Sequence, residues 1–364
     1  MACREHQGMK LSLLVTVSVI LCAGAIANAG GGFNQTGNIL ITDQFNNRVI
    51  EIDPAGNIVW QFGSGPGNTT PSAIIGTNDA ERVKELTLMA GTGIPAGLPA
   101  SVTTHCKKGC ADNRVLLVDQ RGNIVWQYGQ FNVTGSGPNQ LNVPVQNTYL
   151  SEPNGDDHVL ITDQGNNRII EVRRSDNAIV WEYPGTSNVP PLNNPNAAEL
   201  LTNTHILISD ENNNQALEVT HNIGMPSSIV NMYTQAGGVA FSFVAFASRL
   251  PNNGHTLITD SGNSRIVETD ENGNDFWHFF TNARAGSNSA PLPTRAVQLA
   301  TGNVLISDQF NNQVIEVTHT MPAVIVATYG TINNPGYSPG SALTKMNGPY
   351  SAYKIGDYTG ITPP

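Results

Sequence analysis

Short apolar runs rich in β-branched residues recur along the chain, each closed by the same polar punctuation. ILITD at 39–43 is followed by Gln-Phe-Asn-Asn, then RVIEI at 48–52, Asp-Pro-Ala-Gly-Asn, and IVWQF at 58–62. Short runs bounded by Asn, Asp, Gly and Pro read as strands joined by tight turns. The pattern returns as NRVLLVDQRGNIVWQYG at 113–129, HVLITDQGNNRIIEVRRSDNAIVWEYPG at 158–185 and HILISDENNNQALEVTHN at 205–222. It returns twice more, as HTLITDSGNSRIVETDENGNDFWHFF at 255–280 and NVLISDQFNNQVIEVTHT at 303–320.

The marker aspartates are Asp43, Asp163, Asp210, Asp260 and Asp308; the last four lie 47, 50 and 48 residues apart. The first gap, 120 residues, leaves room for one irregular copy. Trp60, Trp126, Trp181 and Trp277 align, with Asn231 and Ala327 in the remaining positions, which makes six copies. A further strand precedes each marker run, at 143–150, 197–201, 240–249 and 295–300. Four short strands per unit predict an all-β fold, a six-bladed β-propeller of four-stranded blades. The units span about 38–63, 80–129, 143–185, 196–233, 240–280 and 294–330. Helical periodicity is weak and confined to 79–89, where the innermost strand of unit two belongs. Unit one lacks an innermost strand of its own, and the chain has a surplus segment after the last unit. Residues 346–364 are therefore expected to pair into blade one and close the ring, because an open ring exposes strand edges.

The first 29 residues read as a secretory signal peptide. Arg4 and Lys10 supply positive charge, 11–26 is apolar, and Ala27-Asn28-Ala29 is a small-residue cleavage site; Met9 is an alternative start. The remainder, 30–364, is expected to be one propeller domain, secreted or periplasmic, with no membrane insertion after cleavage. Cys106 and Cys110 survive cleavage, and an oxidising compartment makes a disulfide the default. A metal site that includes His105 is the alternative.

Only 13% of residues are charged, and 41 asparagines carry much of the polarity. The net charge is −10 and no basic stripe occurs, so nucleic acid is excluded as a partner. The links 64–79, 130–142, 184–196, 281–293 and 330–347 are Gly-, Asn-, Ser- and Pro-rich. Asn34, Asn68 and Asn132 fit the N-glycosylation acceptor pattern, which matters only in a eukaryotic source.

The marker Asp is expected to accept hydrogen bonds from the loop amides that follow it. The Asn pairs ending at Asn47, Asn167, Asn214 and Asn312 suit positive φ, and Arg48, Arg168 and Arg265 can pair with an acid. A glutamate recurs in the third strand at 51, 171, 218, 268 and 316. Unit two places His105 and Leu117 in the Asp and Glu positions. That joint loss suggests that the two acids serve one network.

ILITDQFNNRVIEID and ILITDQGNNRIIEV resemble the repeat of the NHL family of six-bladed propellers, with its D-x-x-N-x-R-[IV] core. The linkers at 135–144 and 329–349 are similar to those between NHL repeats. The resemblance covers nearly all of the mature chain and departs in blade two. It implies one of several roles, since NHL propellers include protein-binding modules, RNA binders and a peptide-amidating lyase. EIDPAGNIVWQF also resembles repeats of periplasmic arylsulfotransferases. The lyase needs zinc on histidines lining the channel, but the expected innermost strands carry none. A sulfotransferase needs a histidine nucleophile, for which only His158, His205 and His255 form a candidate set; His221 and His319 share a hairpin position.

The expectation is a binding or scaffold module for a protein, peptide or glycan, on the face bearing the Asp–Asn loops. A propeller enzyme with a histidine or metal site is the alternative. Candidate residues on that face are Asp43, Asn47, Arg48, Asp163, Asn167, Arg168, Asp210, Asp260, Arg265 and Asp308. No cofactor is expected; the Asp–Asn clusters hold enough oxygens for a structural calcium, although no D-x-D-x-D-G loop occurs.

Overall fold

The computed structural model describes residues 32–201 and 204–357. The expected signal peptide, 1–29, lies outside them, as do residues 358–364 of the expected closing tail. Six four-stranded antiparallel sheets form the blades of a propeller, and the described residues contain no α-helix. The second strands are Ile39–Asp43, Leu86–Gly91, His158–Asp163, His205–Asp210, Thr256–Asp260 and Val304–Asp308. Most of their residues are buried on both faces, because each sheet is sandwiched between two neighbours. This explains why the runs are apolar throughout instead of alternating.

The innermost strands of blades two to six are Thr77–Val83, Pro144–Leu150, Pro195–Leu200, Val244–Arg249 and Pro293–Gln298. The 79–89 segment is thus a strand pair, Thr77–Val83 with Leu86–Gly91. Ala240 belongs instead to a small extra hairpin, Gln235–Ala236 with Val239–Ala240, set in the link before blade five. Pro349–Lys354 supplies the innermost strand of blade one and pairs antiparallel with Ile39–Asp43. The ring is closed by the C-terminal segment, as the strand count requires.

The core lies between blades. Leu40, Val49 and Trp60 of blade one pack against Ala80, Met89 and Leu116 of blade two, and the same wedge recurs around the ring. Trp60 is buried and donates its indole N–H to the Gln120 carbonyl at 2.9 Å, in the next blade's hairpin. Trp277 does the same to the Thr320 carbonyl at 3.1 Å, and Trp126 to Asn177 Oδ1 at 2.9 Å. Trp60, Trp126 and Trp277 each therefore spend their one polar atom across the same seam, whereas the buried Trp181 finds no acceptor for its indole N–H.

An innermost strand has one unpaired edge, and the preceding blade covers it with side chains. Asp79 accepts from the Asn147 amide at 3.2 Å and Glu199 from the Arg249 amide at 3.0 Å. Glu81, Gln146 and Tyr353 do the same for Tyr149, Ala198 and Arg82. Buried backbone donors need partners, so acids at the axis serve the fold. Asp79 also pairs with Arg295 across the axis. The remaining space there is about 10 Å³, so the axis is plugged at this level.

Unit two corrects the sequence reading. Gly91, not His105, sits opposite Arg114, as Asp43 sits opposite Arg48. The missing carboxylate comes from Asp112, whose Oδ1 lies 2.5 Å from Arg114 Nε. A Cβ at Gly91 would lie 2.6 Å from Asp112 Cγ, so the glycine makes room for the relocated acid. The Asp-to-Arg pair is therefore present in blade two by another route. His105 lies in the long loop 92–113, beside Gly67.

Candidate functional site: the axial pocket on the turn face

Each marker Asp ends its strand and is followed by a single 3-10 turn, which closes on a left-handed residue. Those residues are Asn47, Asn167, Asn214, Ser264 and Asn312, with φ between 51° and 56°. The Asp carboxylate does not cap the following turn. One oxygen accepts from the amide of the incoming link: Asn347 to Asp43 at 2.7 Å, and Asn142, Asn193 and Ser242 to Asp163, Asp210 and Asp260 at 2.8 Å. The other oxygen meets the Asn three residues on and the Arg five residues on. Arg48, Arg168 and Arg265 lie 2.8, 2.7 and 2.7 Å from Asp43, Asp163 and Asp260. Gln215 replaces the arginine in blade four, at 2.8 Å from Asp210. In blade six Arg284 reaches Asp308 from the preceding link. Burial pushes the Asp308 carboxyl up to about 6 despite that arginine, and raises Asp43, Asp163 and Asp210 as well.

The left-handed Asn joins blades. Asn47, Asn167, Asn214 and Asn312 accept from the backbone amides of Gly76, Asn194, Phe243 and Gly348, at 2.8 to 3.0 Å. Nine of the ten candidate residues are thus buried in the scaffold beneath the turn face, and only Asn167 is exposed. What they hold in place are the turns and the links, all on one face.

At the centre of that face lies a pocket of about 600 Å³. Gln44, Asn78, Gln164, Glu211 and Tyr350 are among the residues that line it, and Ile94, Lys108 and Cys110 of the 92–113 loop wall one side. That loop is fixed by the Cys106–Cys110 disulfide and by packing of Ile94 and Cys106 against Phe45 and Ile75. On the floor, Gln309 donates to Gln44 at 2.8 Å and Gln44 to Asn78 at 2.7 Å. Gln164 donates to Glu211 at 3.1 Å, and Tyr350 to Asn196 at 3.0 Å. Because the axis below is plugged, the pocket is blind. A volume of several hundred Å³ with convergent polar groups is that of a small-ligand site.

The sequence reading missed these floor residues, although a signal was present. The residue after the marker Asp reads Gln44, Gln164, Glu211, Ser261 and Gln309. In a propeller that position opens the turn nearest the axis.

The histidines gather elsewhere. His158, His205 and His255 do not meet; each bonds the glutamate of its own blade, at 2.5, 2.7 and 2.7 Å. Glu171 also holds His221 at 2.6 Å, and Glu268 holds His319 at 2.7 Å, in each case from the next blade. Elsewhere the next blade's innermost strand supplies the cation: Arg82 to Glu51, Arg249 to Glu218 and Lys354 to Glu316. The Asp and Glu networks are therefore separate, at opposite ends of the sheets, and not one network. Hydrogen bonds from both histidines hold the Glu171 and Glu268 carboxyls below the usual range despite burial. Glu152, His158 and Glu171 bring three potential ligand atoms within 4.8 Å of one another, with both Glu171 oxygens already bonded to histidines. The residues lining the axial pocket include no histidine.

No protein-family model matches the sequence, and no curated protein matches it. Solved structures share the architecture. A chain of the nidogen/laminin complex is 11% identical over 80% of this chain and 92% of its own, with a TM-score of 0.51. Virginiamycin B lyase from Staphylococcus aureus is 14% identical over 81% of each chain, at 0.47. A putative 6-phosphogluconolactonase from Bacteroides fragilis is 10% identical over 89% of this chain and 99% of its own, at 0.49. At these identities the likeness is one of fold.

Proposed function

We propose that this chain is an exported, NHL-like propeller that acts as a binding or scaffold module, with the turn face as its contact surface and the axial pocket as its focus. The single observation carrying the reading is the blind pocket of about 600 Å³, lined largely by amide and hydroxyl groups, with Glu211 and Lys108 as the charged side chains among its lining residues. Such a surface suits a hydrogen-bonding segment of a protein, peptide or glycan and offers nothing to a polyanion. Export is supported by the 1–29 segment and by the disulfide, which persists in an oxidising compartment. No helix among the described residues is long and apolar enough to cross a membrane. The enzymatic alternative needs a histidine or metal site, and His158, His205, His221, His255 and His319 are bonded to glutamates at the opposite ends of the sheets from the pocket.

The test has two arms. N-terminal sequencing of the exported protein should begin after Ala29. A partner isolated with the mature chain should be lost from variants with alanine blocks in 130–142 or 281–293, and retained by variants altered in the opposite hairpins, such as 270–274. Retention by the link variants and loss from the hairpin variants would overturn the reading.

A further inference from the structure

In five blades the residue after the marker Asp begins the turn at the axial mouth. Four of these are neutral: Gln44, Gln164, Ser261 and Gln309. The fifth is Glu211. A residue that is the same in every blade serves the fold; one that breaks the repeat by adding a charge costs stability there and asks for another reason. In blades one and six the amides close among themselves, Gln309 to Gln44 to Asn78. Glu211 accepts one hydrogen bond, from Gln164, and no Arg, Lys or His lies within ion-pair distance of it among the described residues. Burial pushes its carboxyl up to about 7, opposed only by the hydrogen bond from Gln164. Lys108, on the 92–113 loop, is the one cation among the lining residues.

We infer that the axial pocket binds a peptide through its free terminal ammonium, with Glu211 as the counter-ion. This rests on the reading of the pocket as the binding focus. An ammonium presents three donors, and the pocket offers one carboxylate together with the amide oxygens of other lining residues such as Gln164 and Asn142. A divalent cation is a poorer fit, because calcium sites gather several carboxylates and this pocket has one. A sugar is a poorer fit as well: the lining contains a single aromatic ring, Tyr350, whose hydroxyl is already bonded to Asn196. The backbone and amide groups of the walls suit the peptide units behind the ammonium, and Lys108 suits a carboxylate at the far end of a short one.

The experiment is calorimetric titration of the mature chain at pH 7.5 with triglycine, N-acetyl-triglycine, glucosamine and calcium chloride, repeated on Glu211→Gln. Triglycine is expected to bind, and acetylation to weaken it at least tenfold. Glu211→Gln is expected to cost triglycine at least tenfold while leaving the acetylated peptide unchanged, with an undiminished melting temperature as the check on folding. Equal affinity for free and acetylated peptide, no triglycine binding at millimolar concentration, unchanged binding by Glu211→Gln, or a preference for glucosamine or calcium each overturns the inference. The two readings separate cleanly. A partner lost from the link variants but kept by Glu211→Gln, with no triglycine binding, removes the ammonium and leaves the face. A partner indifferent to every turn-face variant removes both.

Discussion

Gly91 and Asp112 show how one carboxylate position can be filled from either of two strands. Gly91 does not have a left-handed backbone, so a side chain is conformationally permitted there, but Asp112 occupies the space. Gly91→Asp alone would set two buried carboxylates against one Arg114 and is expected to cost about 3 kcal/mol in urea unfolding, as uncompensated buried charge does. Adding Asp112→Ser should recover most of that loss and restore the pattern of the other blades. A double variant no better than the single one would show that the two positions are not equivalent. Glu211 gives a second residue-scale expectation. Burial pushes its carboxyl up to about 7 from an ordinary 4.5, so the folded state holds that proton more tightly than the unfolded chain. The resulting penalty is absent at low pH and grows as pH rises through 4.5 to 7. Glu211→Gln removes it, so the variant should gain on the wild type across that window, by at most about 3 kcal/mol at pH 8. Parallel stability profiles from pH 4 to 8 would contradict this. The Asp-to-Arg spacing was legible because both residues sit on adjacent, regular strands. The blade-two substitution was not, since the long 92–113 loop separates the strands and shifts any alignment by eye onto His105.

At the scale of elements, the loop carrying the disulfide is an addition to the blade, and it walls the pocket without joining a sheet. Replacing Cys106 and Cys110 by alanine removes a short covalent loop, worth about 2 kcal/mol in the chain-entropy account. The expected result is a modest fall in melting temperature, faster amide exchange confined to about 92–111, and weaker ligand binding at the axis. Faster exchange spread over all blades would mean that the loop supports the ring itself. The strands were readable from their β-branched runs and turn residues, including the short tail segment. The covering of innermost edges by Asp79, Glu81 and Glu199 was not readable, because a carboxylate that caps a neighbour's amide looks in sequence like any acid in a loop. The same holds for the glutamate latches: Glu171 and His221 lie 50 residues apart, and only ring geometry brings them to 2.6 Å.

At the scale of the whole molecule, six seams share the load, and the two that flank blade one depend on the closing strand Pro349–Lys354. Deleting 346–364 removes the innermost strand of blade one, the Lys354 latch to Glu316, and the Asn347 and Gly348 amides bonded to Asp43 and Asn312. Cooperative thermal unfolding is expected to disappear in that variant; an unchanged melting temperature would mean that the ring holds without its closing strand. The axial pocket depends on the same closure, since Tyr350 on its floor belongs to that strand.

Closure by the last strand also fixes an order of events during synthesis. Ile39–Asp43 and its two following strands leave the ribosome early and wait with one edge bare until Pro349–Lys354 emerges. Blades two to six can assemble as they are made, yet the first is completed only by Pro349–Lys354, which follows the strands of all the others. The first blade therefore stays one strand short until residues 349–354 have been made, and the seams on either side of it cannot be finished before then.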